Sequence, residues 1–414
     1  MGTALAVYVG ERGSPFAVSM VLTAYFLGLM VFSPVWGAIA DVTGRRRTVL
    51  VATGATATLA VLPLLAADGV VAPIGARGLY AVFAAGFAPV MLTIVSAHGG
   101  ESGRGRSLGF FNSTRAVGFA GGQLTVGALL GLLAPEQLYL VIAAVSLVST
   151  LAVAFVSDPT PEPADGEPSR EDGGPSLADL RAEIKDRLFP AAGERDHLTT
   201  NGLGWLYVAL ALRNMTVLGV MSLMPPYLTG QVGVSEFVMG ALLAINPAGQ
   251  VVFMLVFGRL ADAVGRKPLI IAGMAGSGLF AVIAGVATAP DAHLARLLVA
   301  GTAFVVIAAA FSAMTTGALA FIGDVADEIR TATARRQDDA APAERESELM
   351  GLRSTAKGVG GVLGPPAFGA VATVASYETA FLGGSVLAFC AAGLAGVRLV
   401  ESRTSATRAV AADD

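Results

Sequence analysis

Long apolar stretches alternate with short polar segments along almost the whole chain. A helix of about 20 apolar residues is long enough to cross the hydrocarbon core of a bilayer. Eleven stretches reach that length, at 16–39, 48–67, 78–97, 107–134, 137–157, 203–228, 235–258, 269–289, 294–322, 349–373 and 378–399. The pattern predicts an all-α integral membrane protein.

Composition supports a membrane protein and argues against other classes. Of the 414 residues, 54% are hydrophobic and 14% are charged, whereas a soluble domain carries about a quarter charged residues. The formal net charge of -4 argues against a nucleic-acid partner. The sequence shows no metal-ligand cluster or nucleophile–base motif, so we expect neither an enzyme nor a bound cofactor or metal.

Lysine and arginine are divided unequally between two alternating sets of connecting segments. One set, which contains both long loops, holds twenty of these residues, and the other holds Arg12, Arg77 and Arg296. Cytoplasmic loops are enriched in lysine and arginine. We therefore expect a multi-pass protein of the cell (cytoplasmic) membrane with its C-terminus and long loops in the cytoplasm.

Two connecting segments are long and polar. The segment 158–200 opens with a Pro-, Gly- and acid-rich portion that we expect to be disordered. It continues with SLADLRAEIKDRLF, in which apolar residues from Leu177 to Leu188 recur at helical spacing. This portion predicts a short amphipathic helix on the cytoplasmic surface, either a tether or a regulatory latch. The acidic segment 323–348 is expected to be a mobile loop.

The chain repeats its own motifs. Residues 37–46, GAIADVTGRR, recur as 258–267, GRLADAVGRK, at an offset of 221. A second set recurs at an offset of 242, with Gly109, Arg115, Gly118, Gly122 and Gly127 matching Gly351, Lys357, Gly360, Gly364 and Gly369. Both copies of each motif fall on the predicted cytoplasmic side. The halves are therefore expected to be parallel repeats, which is one known transporter plan.

Through the two G-x-x-x-D-x-x-G-R-[RK] loops, the chain resembles the major facilitator superfamily over its whole length. The resemblance implies a twelve-helix bundle of two six-helix repeats that transports solutes by alternating access. Residues 1–157 would form the N-terminal half, 158–200 a cytoplasmic linker, 201–400 the C-terminal half and 401–414 a cytoplasmic tail. At the offset of 221 Met1 matches Ser222, so we expect the stub Thr3–Val9 to be the end of a truncated first helix.

The two motif loops are expected to gate the cytoplasmic side. Their residues are Gly37, Asp41, Gly44, Arg45 and Arg46, and Gly258, Asp262, Gly265, Arg266 and Lys267. The glycine after the aspartate permits a tight turn, and an aspartate can bind the N-terminus of another helix. By resemblance to the family, Asp41 would bridge to the helix start near Leu349, and Asp262 to that near Ser107. The alternative is that the arginines only follow the positive-inside distribution.

Arg213 is the leading candidate for the substrate cavity. It lies near the middle of the span 203–228, where a charge costs roughly 2.5–3.5 kcal/mol on insertion scales, and Asn214 follows it. Arg115 and Lys357 occupy matching repeat positions, and Arg353 lies one turn before Lys357 on the same face. Together they could attract an anionic solute, or they could pair with loop carboxylates.

Neutral residues complete the candidates for the cavity. Asn246 precedes Pro247, which should kink the helix, and Gln250 lies one turn further on. Tyr25 occupies the repeat position that matches Asn246, and Asn112 lies in the fourth full span. Each of these could instead be a helix-packing contact. The pairs Gly118/Gly122 and Gly360/Gly364 predict close helix packing between the two halves.

The sequence predicts a secondary active transporter for a small solute, and positive charge without a visible mid-span carboxylate favours an anionic or polar organic one. A multidrug efflux antiporter is the alternative within the class. The family's antiporter pattern expects Gly-Pro where this chain has Gly122-Gln123, and the fourth helix, near Val82, is expected to lack an arginine found in many proton-coupled members.

A non-transporting membrane sensor is the alternative from another class, because a fold alone does not establish function. We expect the partners to be the solute and the lipid bilayer, with a proton or another coupling ion left open. The protein is expected to be a monomer.

Overall fold

The computed structural model describes residues 1–158, 177–188, 198, 200–334 and 342–401. Within these residues thirteen α-helices follow one another. They are α1 (Gly2–Arg12), α2 (Pro15–Thr43), α3 (Arg46–Leu59), α4 (Val71–Ala84), α5 (Phe87–Leu130), α6 (Pro135–Val153), α7 (Leu177–Leu188), α8 (Leu203–Tyr227), α9 (Glu236–Val264), α10 (Arg266–Gly285), α11 (His293–Ala334), α12 (Pro342–Val374) and α13 (Tyr377–Arg398). A 3-10 helix, Leu62–Ala66, follows α3, and a π turn, Leu228–Val232, follows α8.

Nine helical segments of the described chain are long and apolar enough to cross a membrane. The prediction of an all-α membrane protein is therefore confirmed. The predicted span 107–134 is helical as far as Leu130, in α5, and the span 349–373 lies within α12, but neither is among the nine. These two helices match in the repeat, and the charged and glycine-rich sequences around Arg115 and Lys357 lower their hydropathy.

The polar segment between the third and fourth predicted spans does not interrupt the helix. Helix α5 runs without a break from Phe87 to Leu130, so the expected connection at 98–106 is helical. No proline follows Pro89 in this helix, so no later residue lacks the backbone N–H that continues the hydrogen-bond ladder. Glycine costs about 1 kcal/mol per residue in a helix but does not end it.

Helices also extend into the polar segment 323–348. Helix α11 reaches Ala334 and α12 starts at Pro342, so the expectation of a loop over the whole segment is wrong at both ends. Glu328 in the extension accepts a hydrogen bond of 2.8 Å from Asn201, which ties it to the start of the second half. The predicted amphipathic helix is present as α7, whereas the portion predicted to be disordered lies mostly outside the described residues.

Contacts divide the chain into two compact units. Unit 1 contains residues 1–5, 24–115 and 133–193. In it, α2 packs on α4 through Gly28, where an added methyl group would lie 3.2 Å from the backbone of Ala81. The indole of Trp36 donates a 2.7 Å hydrogen bond to the carbonyl of Val82. Buried side chains of α2, α3 and α5 form the core beside this contact, and they are Ala40, Val49, Leu50, Val90 and Ile94.

Unit 2 contains residues 6–23, 116–132 and 194–414, which include the whole second half. Its main core joins α8, α10, α11, α12 and α13, and it includes Leu206, Met274, Phe321 and Ala391. Gly360 and Gly364 bring α12 against α8, because added methyl groups would lie 2.6 Å from Asn214 Cβ and 2.7 Å from Met215 Cα. This places the second glycine pair inside one half, and not between the halves as the sequence predicted.

Two helix crossings in unit 2 join segments of both repeats. Gly127 of α5 lies against Gly240 of α9, where an added methyl group on either residue would lie 2.8 Å from the Cα of the other. Gly369 of α12 lies against Ser19 of α2, with 2.7 Å from the added methyl to Ser19 Cβ. By contrast, no described atom lies within 4 Å of a methyl group added to Gly118 or Gly122.

Candidate functional site

The first motif loop forms a tight turn between α2 and α3. Gly44 adopts a φ of 65° there, a conformation that glycine adopts without steric cost. Arg46 donates to Asp41 Oδ1 at 3.2 Å, so the motif's own cation contacts its carboxylate. The bridge from Asp41 to the helix start near Leu349 stays a prediction.

The second motif loop repeats the turn between α9 and α10, with φ at 87° for Gly265. Arg266 is buried, forms an ion pair of 2.9 Å with Asp324 of α11, and donates to the carbonyl of Ala261. Glu401, just after α13, accepts the backbone N–H of Arg266 at 2.6 Å and that of Lys267 at 3.2 Å. The side chain of Asp262 lies outside the described residues, and its bridge to Ser107 stays a prediction.

Arg213 lies in the interior of unit 2, between α8, α10 and α11. Its side chain is 1% exposed, its Nε donates to Ser277 Oγ at 2.8 Å, and its Nη1 donates to Asn214 Oδ1 at 3.2 Å. The guanidinium carbon lies 5.5 Å from the ring centre of Phe311. Among the described atoms, Nη2 has no hydrogen-bond partner.

A second cation lies beside Arg213. Arg353 of α12 is partly buried and close enough for the two positive charges to repel each other. In the described part of the chain, neither arginine forms an ion pair with an acidic side chain. Arg213 therefore has at least one N–H group without a described partner, a contact with the amide of Asn214, and a charge that is repelled by that of Arg353.

Asn246 and Gln250 lie together on α9. Gln250 donates from Nε2 to Asn246 Oδ1 at 3.0 Å, and both residues are half-buried. The predicted one-turn spacing thus produces a direct contact, which leaves the Asn246 amide nitrogen and the Gln250 oxygen available to other groups.

Three other sequence candidates lie at exposed positions. Arg115 and Asn112 on α5 and Lys357 on α12 are all exposed, and the Asn112 amide donates to the carbonyl of Leu108 in its own helix. Their exposure contrasts with the burial of Arg213.

Tyr25 contacts Arg77, which the sequence pattern places in a connecting segment. Arg77 lies within α4 and is 8% exposed, with its guanidinium carbon 4.0 Å from the ring centre of Tyr25 and 5.3 Å from that of Tyr80. The expectation that the fourth helix lacks an arginine is therefore wrong. Arg77 lies eight positions after Gly69 and directly before the predicted span 78–97, so the sequence pattern placed it in the connecting segment.

The family model described as Major Facilitator Superfamily matches residues 1–229 and again residues 205–414. The chain belongs to the major facilitator superfamily. As a member of this family of transporters it is a multi-pass membrane protein and a secondary transporter, and not an enzyme.

Solved structures agree with the superfamily fold. A variant of the nucleoside transporter NupG is similar with a TM-score of 0.68 and 14% identity, over 95% of this chain and 94% of that one. The human organic anion transporter MFSD10 (TETRAN) is similar with a TM-score of 0.59 and 14% identity, over 91% and 83%. At this identity the likeness shows the fold alone. No curated protein sequence matches the chain.

Proposed function

We propose that this member of the superfamily transports a small organic anion by alternating access, and that Arg213 and Arg353 hold its acidic group. The observation that carries the proposal is the buried Arg213, whose Nη2 has no described partner and whose charge is repelled by that of Arg353.

A bound anion would supply a counter-charge to Arg213 and Arg353. Burying an ion costs several kcal/mol unless a partner compensates for the lost hydration, and two like charges add repulsion to that cost. An opposite charge at 4 Å is worth about 4 kcal/mol at an effective dielectric constant of 20. A bound carboxylate would relieve the repulsion and accept the free N–H of Arg213, since guanidinium groups match oxyanions in geometry.

Access to the site requires movement, because Arg213 is 1% exposed. In the proposed cycle, rearrangement of the two halves opens the Arg213 site to one side of the membrane at a time. The motif loops around Asp41 and Asp262 would hold the cytoplasmic side shut in one of these states. The cytoplasmic position of those loops follows from the lysine and arginine distribution.

Uptake into liposomes by purified protein tests the proposal. The parent is compared with Arg213→Gln and with Arg181→Gln, a control at an exposed position on α7, using labelled mono- and dicarboxylates, nucleosides and lipophilic cations. We expect carboxylate uptake by the parent and by the control, and at least about a tenfold loss for Arg213→Gln, because removing one partner of a buried charge pair costs 2–5 kcal/mol.

Two results would contradict the proposal. Equal movement of lipophilic cations by the parent and by Arg213→Gln would favour a multidrug efflux antiporter with a structural Arg213. Binding without any flux would favour a sensor. Arg213→Lys, with circular dichroism and size-exclusion profiles of all variants, separates a lost site from a lost fold.

A further inference from the structure

A second buried arginine lies in unit 1, outside the Arg213 site. Arg77 of α4 lies against two tyrosines, Tyr25 of α2 and Tyr80 one turn further along its own helix. We infer that these three residues, the Arg77 box, form a second recognition site for an oxyanion group of the transported solute. The inference rests on the proposed transport of organic anions.

The box is held in place by close packing of α2 and α4. A methyl group added to Gly78 would lie 3.6 Å from Ala24 Cβ, and one added to Gly28 would lie 3.2 Å from the backbone nitrogen of Val82. Along α2, the contact with Gly78 lies at Ala24, just before Tyr25, and the contact through Gly28 lies just after Tyr25. The guanidinium and the Tyr25 ring therefore meet between two contacts of these helices.

The charge of Arg77 is not compensated within the described chain. Its Nε is buried and has no hydrogen-bond partner, and no described acidic side chain forms an ion pair with it. The face of a tyrosine ring attracts a cation, but it offsets only part of the cost of burying one. Ionisable residues within membrane spans mark functional sites by default.

The donors of the box define the chemistry of its ligand. A guanidinium group presents a planar fork of N–H donors that fits carboxylate, sulfonate and phosphate oxygens in pairs. Tyrosine hydroxyls can donate to a remaining oxygen. An oxyanion is the shared feature of these ligands, and it would be part of a free solute and not of a lipid headgroup.

Thermal stabilisation and direct binding in lipid-free maltoside detergent test the inference. The probes are succinate, benzoate and inorganic phosphate, and the variants are Arg77→Gln, Arg77→Lys, Tyr80→Phe and Arg213→Gln. A ligand that binds the folded state raises its Tm by mass action. We expect at least one probe to stabilise the parent and to lose at least tenfold in affinity with Arg77→Gln.

The conservative variants guard against loss of the fold. Arg77→Lys keeps the charge but not the fork, so we expect an intermediate affinity. Tyr80→Phe keeps the ring and removes one donor, so we expect a few-fold loss. If Arg77→Gln does not fold, these two variants carry the test, and parent-like affinity in both overturns the inference.

The outcomes separate this inference from the proposed function. If Arg213→Gln abolishes binding and all Arg77 box variants bind like the parent, the box inference fails and the proposed function stands. If no probe binds to or is transported by the parent, the proposed function fails. Two results assign the box another role and overturn the inference: competition with the probes by added anionic lipid, or an Arg77→Gln effect limited to the dependence of uptake on a proton gradient.

Discussion

Phe368 of α12 is inserted between glycines of two neighbouring helices. A methyl group on Gly219 of α8 would lie 2.5 Å from the ring of Phe368, and one on Gly384 of α13 would overlap the same ring. The ring itself is 3% exposed. Both glycines are needed here because they leave room for the ring, and neither has a positive φ.

Gly384→Ala should therefore destabilise the protein. Overpacking a filled interior costs typically 1–3 kcal/mol, so we expect the Tm in detergent to fall by a few degrees. Gly383→Ala is the matched control, since no described atom lies within 4 Å of its added methyl group. Adding Phe368→Leu to Gly384→Ala should restore part of the loss. Equal Tm values for the two single variants would show that the ring is not packed in this way.

The two buried arginines differ in how far the sequence could predict them. Arg213 interrupts the middle of a long apolar run, so the sequence could single it out as a charge within a membrane span. Arg77 is also buried, but the nearby turn at Asp68 and Gly69 made it look like a loop residue. Tyr25 was singled out because its repeat position matches Asn246. Its contact with Arg77 depends on the packing of α2 against α4, which cannot be predicted from residue spacing in the sequence.

At the scale of elements, the N-terminus of α10 is capped by a residue 135 positions away along the chain. Glu401 accepts two backbone N–H groups, those of Arg266 and Lys267. The first N–H groups of a helix have no partner within the helix, and a carboxylate there also interacts favourably with the helix dipole. The cap fastens the end of α13 to the second motif loop.

Replacing this cap should lower stability without touching the Arg213 site. Loss of an N-cap acceptor costs about 0.5–2 kcal/mol, so Glu401→Ala should lower the Tm, and Glu401→Gln should retain part of the cap through its amide oxygen. Asp291→Asn removes an exposed carboxylate and serves as the control. A Tm for Glu401→Ala that equals the control value would mean that water replaces the cap at no cost.

Helix ends were harder to predict than helix positions. The apolar blocks in the sequence indicate which segments are long enough to cross the hydrocarbon core. Nine of these blocks correspond to apolar helical segments in the described chain. They did not report where each helix ends, because a helix can continue beyond the bilayer as long as its backbone hydrogen bonds are made. Helix α5 and the extensions of α11 and α12 continue past the ends of the predicted apolar spans.

At the scale of the molecule, the two crossings in unit 2 are related by the internal repeat. Gly127 and Gly369 differ by 242, and Ser19 and Gly240 differ by 221. These are the two offsets found in the sequence, so the α5–α9 and α2–α12 contacts are copies of one contact. The sequence shows that Gly127 and Gly369 occupy equivalent positions in the two repeats. It does not show which helix packs against each glycine, because a repeat relates positions in the chain and not contacts in the fold.

If the two crossings separate together during transport, a change at one should be felt at the other. Gly127→Val places two methyl groups where the backbone of Gly240 lies, and small residues at such crossings are what allow close approach. On a Cys390→Ser background, Ser19→Cys reports the other crossing, because Ser19 is fully buried. We expect Gly127→Val to speed maleimide labelling of Ser19→Cys in detergent.

The matched control is Gly122→Val on the same helix, where no described atom lies within 4 Å of an added methyl group. Labelling at the parent rate in this control and faster labelling in Gly127→Val would indicate one gate with two symmetric contacts. Equal rates in both variants would mean that each crossing opens independently. In that case the repeat would describe how the helices are placed but not how they move, and the cooperative opening that alternating access requires would depend on other contacts.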